Sequence, residues 1–200
     1  MVYNVMTDKF ENLKSEVSNC TKCSLSSTRN KVVFGGGNPD ADIFVIAEGP
    51  GYEEDLQGIP FVGKSGKLLD KIFAACGFTR EKHVYISNIV KCHPPGNRAP
   101  SKPEQDACLP YLIKQIDLVD PKIIILLGAT ALKGLINPNL KITKVRGEWI
   151  NWNNRLVMPV FHPSALLRNP DLKRPAWEDF KKVVLKYREL VDPDHYSEHV

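Results

Sequence analysis

A single α/β domain, with a mostly parallel central sheet and helices on both of its faces, is the fold that three observations predict. Continuous apolar runs of strand length, in "IFVIAEG" and "KIIILLG", lack the alternation of a half-exposed strand and read as buried on both faces, and "HVYISNIV" reads as a further strand between them. Segments with helical spacing separate them, the pattern of strands joined by crossover helices. The 200 residues suffice for one sizeable core.

In chain order, a polar helix is expected over residues 7–18, followed by the cysteine-bearing loop "NCTKCSLSSTRNKVVFGGGNPDAD". The first buried strand comes next. Residues 65–76 place Leu69, Ile72, Phe73 and Cys76 on one helical face, with Gly77 as the stop. After the second strand, Ser101 and Glu104 form a capping-box pattern, with Pro103 in the first turn of a helix reaching about Leu118. "KIIILLG" is a third strand and "ATALKGLI" a short helix. "EWINWNNRLVMPVFHP" reads as a hairpin about Asn153–Asn154 running into a last strand. A closing helix over 175–191 carries Trp177, Phe180, Val183, Val184 and Tyr187 at core spacing. Residues 1–191 form the domain, and 192–200 are expected to be a flexible tail.

Net charge is +4 and the sequence pI about 8.7, a mild basic bias that permits a nucleic-acid partner without requiring one. No apolar run approaches a membrane span, and the N-terminus has no leader-like apolar stretch, so a cytoplasmic protein is expected. Five cysteines in that compartment are not a disulfide framework. Cys20 and Cys23 form C-x2-C in a polar loop with no core to fill. With Cys92 and Cys108 they supply four thiolates, enough to enclose one zinc ion or one iron–sulfur cluster. Cys76, on an apolar face, reads as a buried small hydrophobe.

"GIPFVGKS", residues 58–65, matches the G-x-x-x-x-G-K-S phosphate-loop pattern. Its context disagrees. The preceding strand ends near Glu48, well before Gly58, and Pro60 offers no N–H to a phosphate cradle. A nucleoside triphosphate is therefore not expected. Ligands of such folds sit at the C-terminal ends of the strands. "AEGPGYEED", "SNIVKCHPPGNR" and "FHPSALLRNP" stand there, carrying polar and turn residues a plain connector does not need.

Those stretches, with "GIPFVGKSGKLL" and the four cysteines, resemble the family 4 uracil-DNA glycosylases, the iron–sulfur class, over about residues 10–190. The resemblance implies a three-layer sandwich that hydrolyses the N-glycosidic bond of a flipped-out deoxyuridine. It implies a [4Fe–4S] cluster on Cys20, Cys23, Cys92 and Cys108. His162 would hydrogen-bond the uracil oxygen, and Glu48 would orient the attacking water. Asn88 would read the uracil edge, Phe61 would stack on the ring, and Glu54 would crowd C5 against thymine's methyl. Asn97 would lie near the scissile nucleotide. Gly49 and Gly51 belong to the binding loop, and Gly51 and Ser164 would grip phosphates. Leu166, Leu167 or Arg168 would fill the vacated stack, while Lys64, Lys91 and Arg98 would contact phosphates. "NPNLKITKVRGEW" lacks the histidine with which a related branch traps uracil covalently, so turnover is expected. A monomer with one DNA-admitting face is expected. Two other readings stay open on the residues: a non-catalytic metal-bearing nucleic-acid module, and a phosphate-loop nucleotidase.

Overall fold

The computed structural model describes residues 2–200, with side chains from residue 8 onward. Six strands form one sheet: β1 (Gly36–Gly37), β2 (Ile43–Ala47), β3 (Val84–Asn88), β4 (Ile123–Leu127), β5 (Ile150–Trp152) and β6 (Arg155–Val160). Their order is β1-β3-β2-β4-β6-β5. The inner four run parallel, with Ile43 level with both Val84 and Ile123; β1 and β5 are antiparallel edges. Every residue of β2, β3 and β4 is buried, as a sheet covered on both faces requires; β2 and β4 are apolar throughout, while β3 ends in the buried polar pair Ser87 and Asn88.

The helices are α1 (Val2–Ser18), α2 (Tyr52–Gln57), α3 (Lys64–Ala75), α4 (Lys102–Val119), α5 (Gly128–Leu135), α6 (Ile142–Val145), α7 (Pro163–Arg168) and α8 (Lys173–Leu190). The period-2 alternation of strand side chains divides the core. Phe44, Ile46, Ile124 and Leu126 face α1, α4 and α5, through Leu13, Val17, Leu112, Ile116 and Leu132. Ile43, Val45, Ile123, Ile125 and Met158 face α3 and α8, through Leu69, Phe73, Phe180, Val183 and Val184. The result is three layers, as expected. Asn153 and Asn154 both take positive φ (48° and 62°), the left-handed pair that a two-residue hairpin turn needs. Ser101 and Glu104 close a reciprocal capping box on α4.

The tail departs from expectation. His195 and Ser197 are buried, and the His195 ring stacks on Phe78 with centroids 4.7 Å apart. His195 Nε2 lies 2.8 Å from the Cys76 carbonyl, and Ser197 Oγ donates to the Ala75 carbonyl at 2.9 Å. The end of α3 leaves backbone acceptors without helical partners, and the tail supplies donors to them. A Cβ on Gly77 would meet the Tyr196 carbonyl oxygen at 2.0 Å, so the stop glycine also admits the tail. Composition marks this segment as polar; it does not reveal that α3 needs donors there. Among the described residues no helix is long and apolar enough to cross a membrane.

Candidate active site and cysteine pocket

A cleft of about 680 Å³ opens over the C-terminal ends of the parallel strands. β2 delivers Glu48, β3 ends on Asn88, β4 runs into Thr130 at the start of α5, and β6 runs into His162. Gly49, Gly51, Glu54, Phe61, Asn97, Ser164 and Arg168 line the same cleft, so residues far apart in the chain converge.

His162 is the N-cap of α7, and its side chain closes that cap. Ser164 donates its backbone N–H to Nδ1 at 3.1 Å, with its hydroxyl 2.8 Å from the same nitrogen. An Nδ1 that accepts carries no proton, so the neutral ring holds its proton on Nε2 as a donor. Burial first, then the Arg168 charge, lowers the His162 pKa to about 4 against a smaller pull from Glu54; the ring is neutral at pH 7. Ser164 thus braces the histidine, a contact the phosphate-gripping expectation did not include.

The Glu48 carboxylate accepts from the Thr130 hydroxyl. Thr130 was not among the sequence candidates, although "GAT" directly follows a buried strand, where ligand sites of such folds lie. Asn88 is 2 % exposed, and its Oδ1 has no hydrogen-bond partner. Leaving a buried acceptor unpaired costs about 1–3 kcal/mol, so an unpaired amide oxygen in a ligand-sized cleft marks where a donor is to arrive. Asn97, at φ 55°, has its Oδ1 2.8 Å from His93 Nε2.

Residues 58–65 do not form a phosphate cradle. Gly58 caps the end of α2, Gly63 caps the start of α3, and the Val62 and Gly63 amides both donate to Glu54 Oε1 at 2.9 Å. Two members of the acidic run Glu53–Asp55 are engaged within the protein. Glu54 ties down this loop, and buried Asp55 accepts from the Asn30 backbone and side chain.

Two expectations require correction. Leu166 is 2 % exposed, turned into the core from α7, so it cannot enter a base stack; Leu167 and Arg168 are the exposed residues there. Lys91 is 1 % exposed and cannot reach a phosphate: its ammonium donates to Ser87 Oγ at 2.7 Å and the Asn88 carbonyl at 2.6 Å. Arg98 lies at the cleft but forms a fork with Glu104, at 2.8 and 2.7 Å. Lys64 is exposed at the rim.

Cys20, Cys23, Cys92 and Cys108 line one small apolar pocket, together with Arg29 and Lys91. Arg29 donates to Cys92 Sγ at 3.4 Å and to the Cys20 carbonyl at 2.7 Å. Among the described residues no group of three or more His, Cys, Asp or Glu side chains is arranged for a single metal ion. Lys91 has no carboxylate partner among them either. Burial draws its pKa down to about 8, while Cys108 and Cys92 pull it back. A buried ammonium without a carboxylate calls for another anion; burial pushes the Cys92 thiol up to about 11 and raises that of Cys108, so these sulfurs are neutral when free and become anionic only on binding metal. The donor set therefore fits an anionic cluster bound by the four sulfurs.

Residues 34–181 match the family model described as the uracil DNA glycosylase superfamily. The chain belongs to the uracil-DNA glycosylase superfamily. A type-4 uracil-DNA glycosylase of Thermotoga maritima is 47% identical over 176 residues, covering 86% of this chain and 91% of that protein. One from Sulfurisphaera tokodaii is 42% identical over 199 residues (95% and 89%), and one from Saccharolobus solfataricus 44% over 185 residues (88% and 85%). This uracil-DNA glycosylase superfamily chain therefore matches those relatives over 86–95% of its own length.

Proposed function

We propose that the chain is a DNA-repair hydrolase that releases uracil from DNA and leaves an abasic site. The unpartnered Oδ1 of Asn88 carries the reading. A base inside a duplex is out of reach, so the deoxyuridine must be flipped into the cleft. Asn88 Oδ1 then accepts the uracil N3–H while its amide N–H donates to O4; cytosine, with an acceptor at N3, leaves that oxygen unpaired. Phe61 stacks on the ring. Glu54, anchored by two amides, stands near the C5 edge, and Asn97 near the scissile nucleotide.

As the C1′–N1 bond breaks, its electron pair goes to the uracil, and Nε2–H of the neutral His162 stabilises the charge that develops on O2. Glu48, held by Thr130, orients the water whose oxygen bonds to C1′, takes up its proton and offsets the positive sugar. Gly49, Gly51 and Ser164 grip the backbone by amide or hydroxyl, and Leu167 and Arg168 occupy the vacated stack. Cys20, Cys23, Cys92 and Cys108 hold a [4Fe–4S] cluster. The convergence of the four cysteines on one pocket supports it, as does the Arg29 guanidinium donating to Cys92 Sγ. Bound, it would supply a crosslink joining the N-terminal loop to Cys92 after β3 and to Cys108 within α4. The protein acts as an intracellular monomer and turns over.

The test is uracil release from labelled oligonucleotides, with a T·G control, read by alkali cleavage. Cleavage at U, none at T, and a loss of roughly a hundredfold or more in His162→Ala are expected, the scale for removing a donor aimed at developing charge. No release by cluster-loaded wild type rejects the reading in favour of a binding module.

A further inference from the structure

Phe61 holds a backbone conformation that its own chemistry disfavours. Its φ is 55°, in the left-handed region, where a bulky residue costs on the order of 1–3 kcal/mol unless the surroundings impose it. Arg80 supplies the imposition. Its Nη1 donates to the Pro60 carbonyl at 2.8 Å, its Nη2 to the Phe61 carbonyl at 2.7 Å, and its Nε to Asp70 at 2.7 Å. On the opposite polarity of the same loop, Glu54 takes the next two amides, Val62 and Gly63. The four residues 60–63 are thus fixed by their carbonyls at one end and their amides at the other. Gly66 closes in beneath: a Cβ there would lie 1.9 Å from the Phe61 carbonyl oxygen.

We propose that Arg80 is a positioning residue for base recognition, setting the Phe61 ring at the height and tilt a flat base requires. This rests on the reading of Phe61 as the uracil-stacking ring. Phe61 is only 7 % exposed and its ring lies 5.9 Å from the His162 ring, with 31° between planes, so the wall and the donor of the base site form one packed unit. A base gains from stacking only if the ring is already in place when it arrives; a loop that must be ordered on binding subtracts that cost from affinity. Arginine is required because its planar fork spans two successive carbonyls while its third edge bonds a carboxylate, whereas a lysine ammonium is a point donor on a flexible stem. Arg80 lies outside the sequence stretches that signal the site.

The experiment compares cluster-loaded wild type with Arg80→Lys, Arg80→Ala and Asp70→Asn. It reads calorimetric affinity for free uracil, kcat/KM on uracil-containing DNA, affinity for a uracil-free duplex, and the thermal midpoint. Arg80→Lys should weaken free uracil roughly tenfold and Arg80→Ala at least as much, the scale of one lost base–aromatic stack. kcat/KM should fall in step, and affinity for uracil-free duplex should not change. Asp70→Asn, which leaves both carbonyl bonds intact, should give a smaller loss in the same direction; it and the lysine variant decide the matter if the alanine variant does not fold. Unchanged uracil affinity alongside a lowered midpoint would make Arg80 merely structural and overturn the proposal, with the glycosylase reading intact. A wild type that neither binds nor releases uracil would overturn both.

Discussion

Ser164 donates its backbone N–H to Nδ1 of His162, and that bond decides which ring nitrogen carries the proton. Protonating Nδ1 would set one donor against another and place a charge in a half-buried site near Arg168. The ring pKa falls to about 4 accordingly, from an ordinary value near 6.5. Two consequences follow. Between pH 5 and 8 the ring stays a neutral Nε2–H donor, so an imidazole titration followed by NMR should centre near pH 4. A midpoint near 6.5 would contradict the tautomer. The folded state also binds fewer protons than the unfolded chain between those two values. His162 therefore contributes stability that is fully present above about 6.5 and lost as pH falls through about 4. Urea unfolding of wild type and His162→Gln should diverge in pH dependence across that window, with wild type falling more steeply as acid is added.

The start of α4 shows how much of an element the sequence states and what it withholds. The Ser101/Glu104 capping box was legible because it depends only on a spacing of three. The same carboxylate also binds Arg98 at the cleft and Ser24 in the cysteine loop, and spacing cannot show that. The long elements were legible for the same local reason. Buried strands read as apolar runs, and α3, α4 and α8 repeat often enough to reveal a face. α2, α6 and α7 were missed because four to six residues make too few turns for a period to appear. Around the cleft, residues in turn-rich strand ends were legible, while the long-range contacts of Thr130 with Glu48 and of Arg80 with the Pro60 and Phe61 carbonyls were not. Glu104 links three segments, so Glu104→Gln should lower stability by about 2 kcal/mol near pH 7, combining a lost cap with a weakened buried acceptor. The Arg98 fork leads the effects holding Glu104 near 2, well below the usual value of 4.5. Its stabilisation is therefore present above about 4.5 and disappears as pH falls through about 2. Urea unfolding of wild type and variant should converge at that acid limit; a constant gap down to pH 2 would mean the ion pair is not the source.

At the scale of the whole molecule, strand order explains why the cleft residues meet. β3, β2, β4 and β6 lie side by side in parallel, so their C-terminal ends form one rim, and Asn88, Glu48, Thr130 and His162 arrive there from distant parts of the chain. The tail contributes elsewhere. Besides its bonds to the end of α3, it accepts from Arg188, which donates to the His195 and Val200 carbonyls at 2.9 Å, so it joins α3 to α8 on one face of the sheet. No tail residue lines the cleft. Stability and chemistry are separable at this point of the molecule. Truncation after Val191 removes two side-chain bonds to α3, two Arg188 bonds and the His195–Phe78 stack. At about 1 kcal/mol net for each hydrogen bond, a loss of about 3 kcal/mol is expected after relaxation. For a chain of this size that lowers the thermal midpoint by roughly 6–12 °C. Uracil release well below the midpoint should be unaltered, because the sheet rim keeps its shape. A truncated protein with an unchanged midpoint would show the tail to be passive. One with a lowered midpoint and a proportionate loss of uracil release far below it would show that α3, which carries the Phe61 loop at its start, transmits tail docking to the cleft.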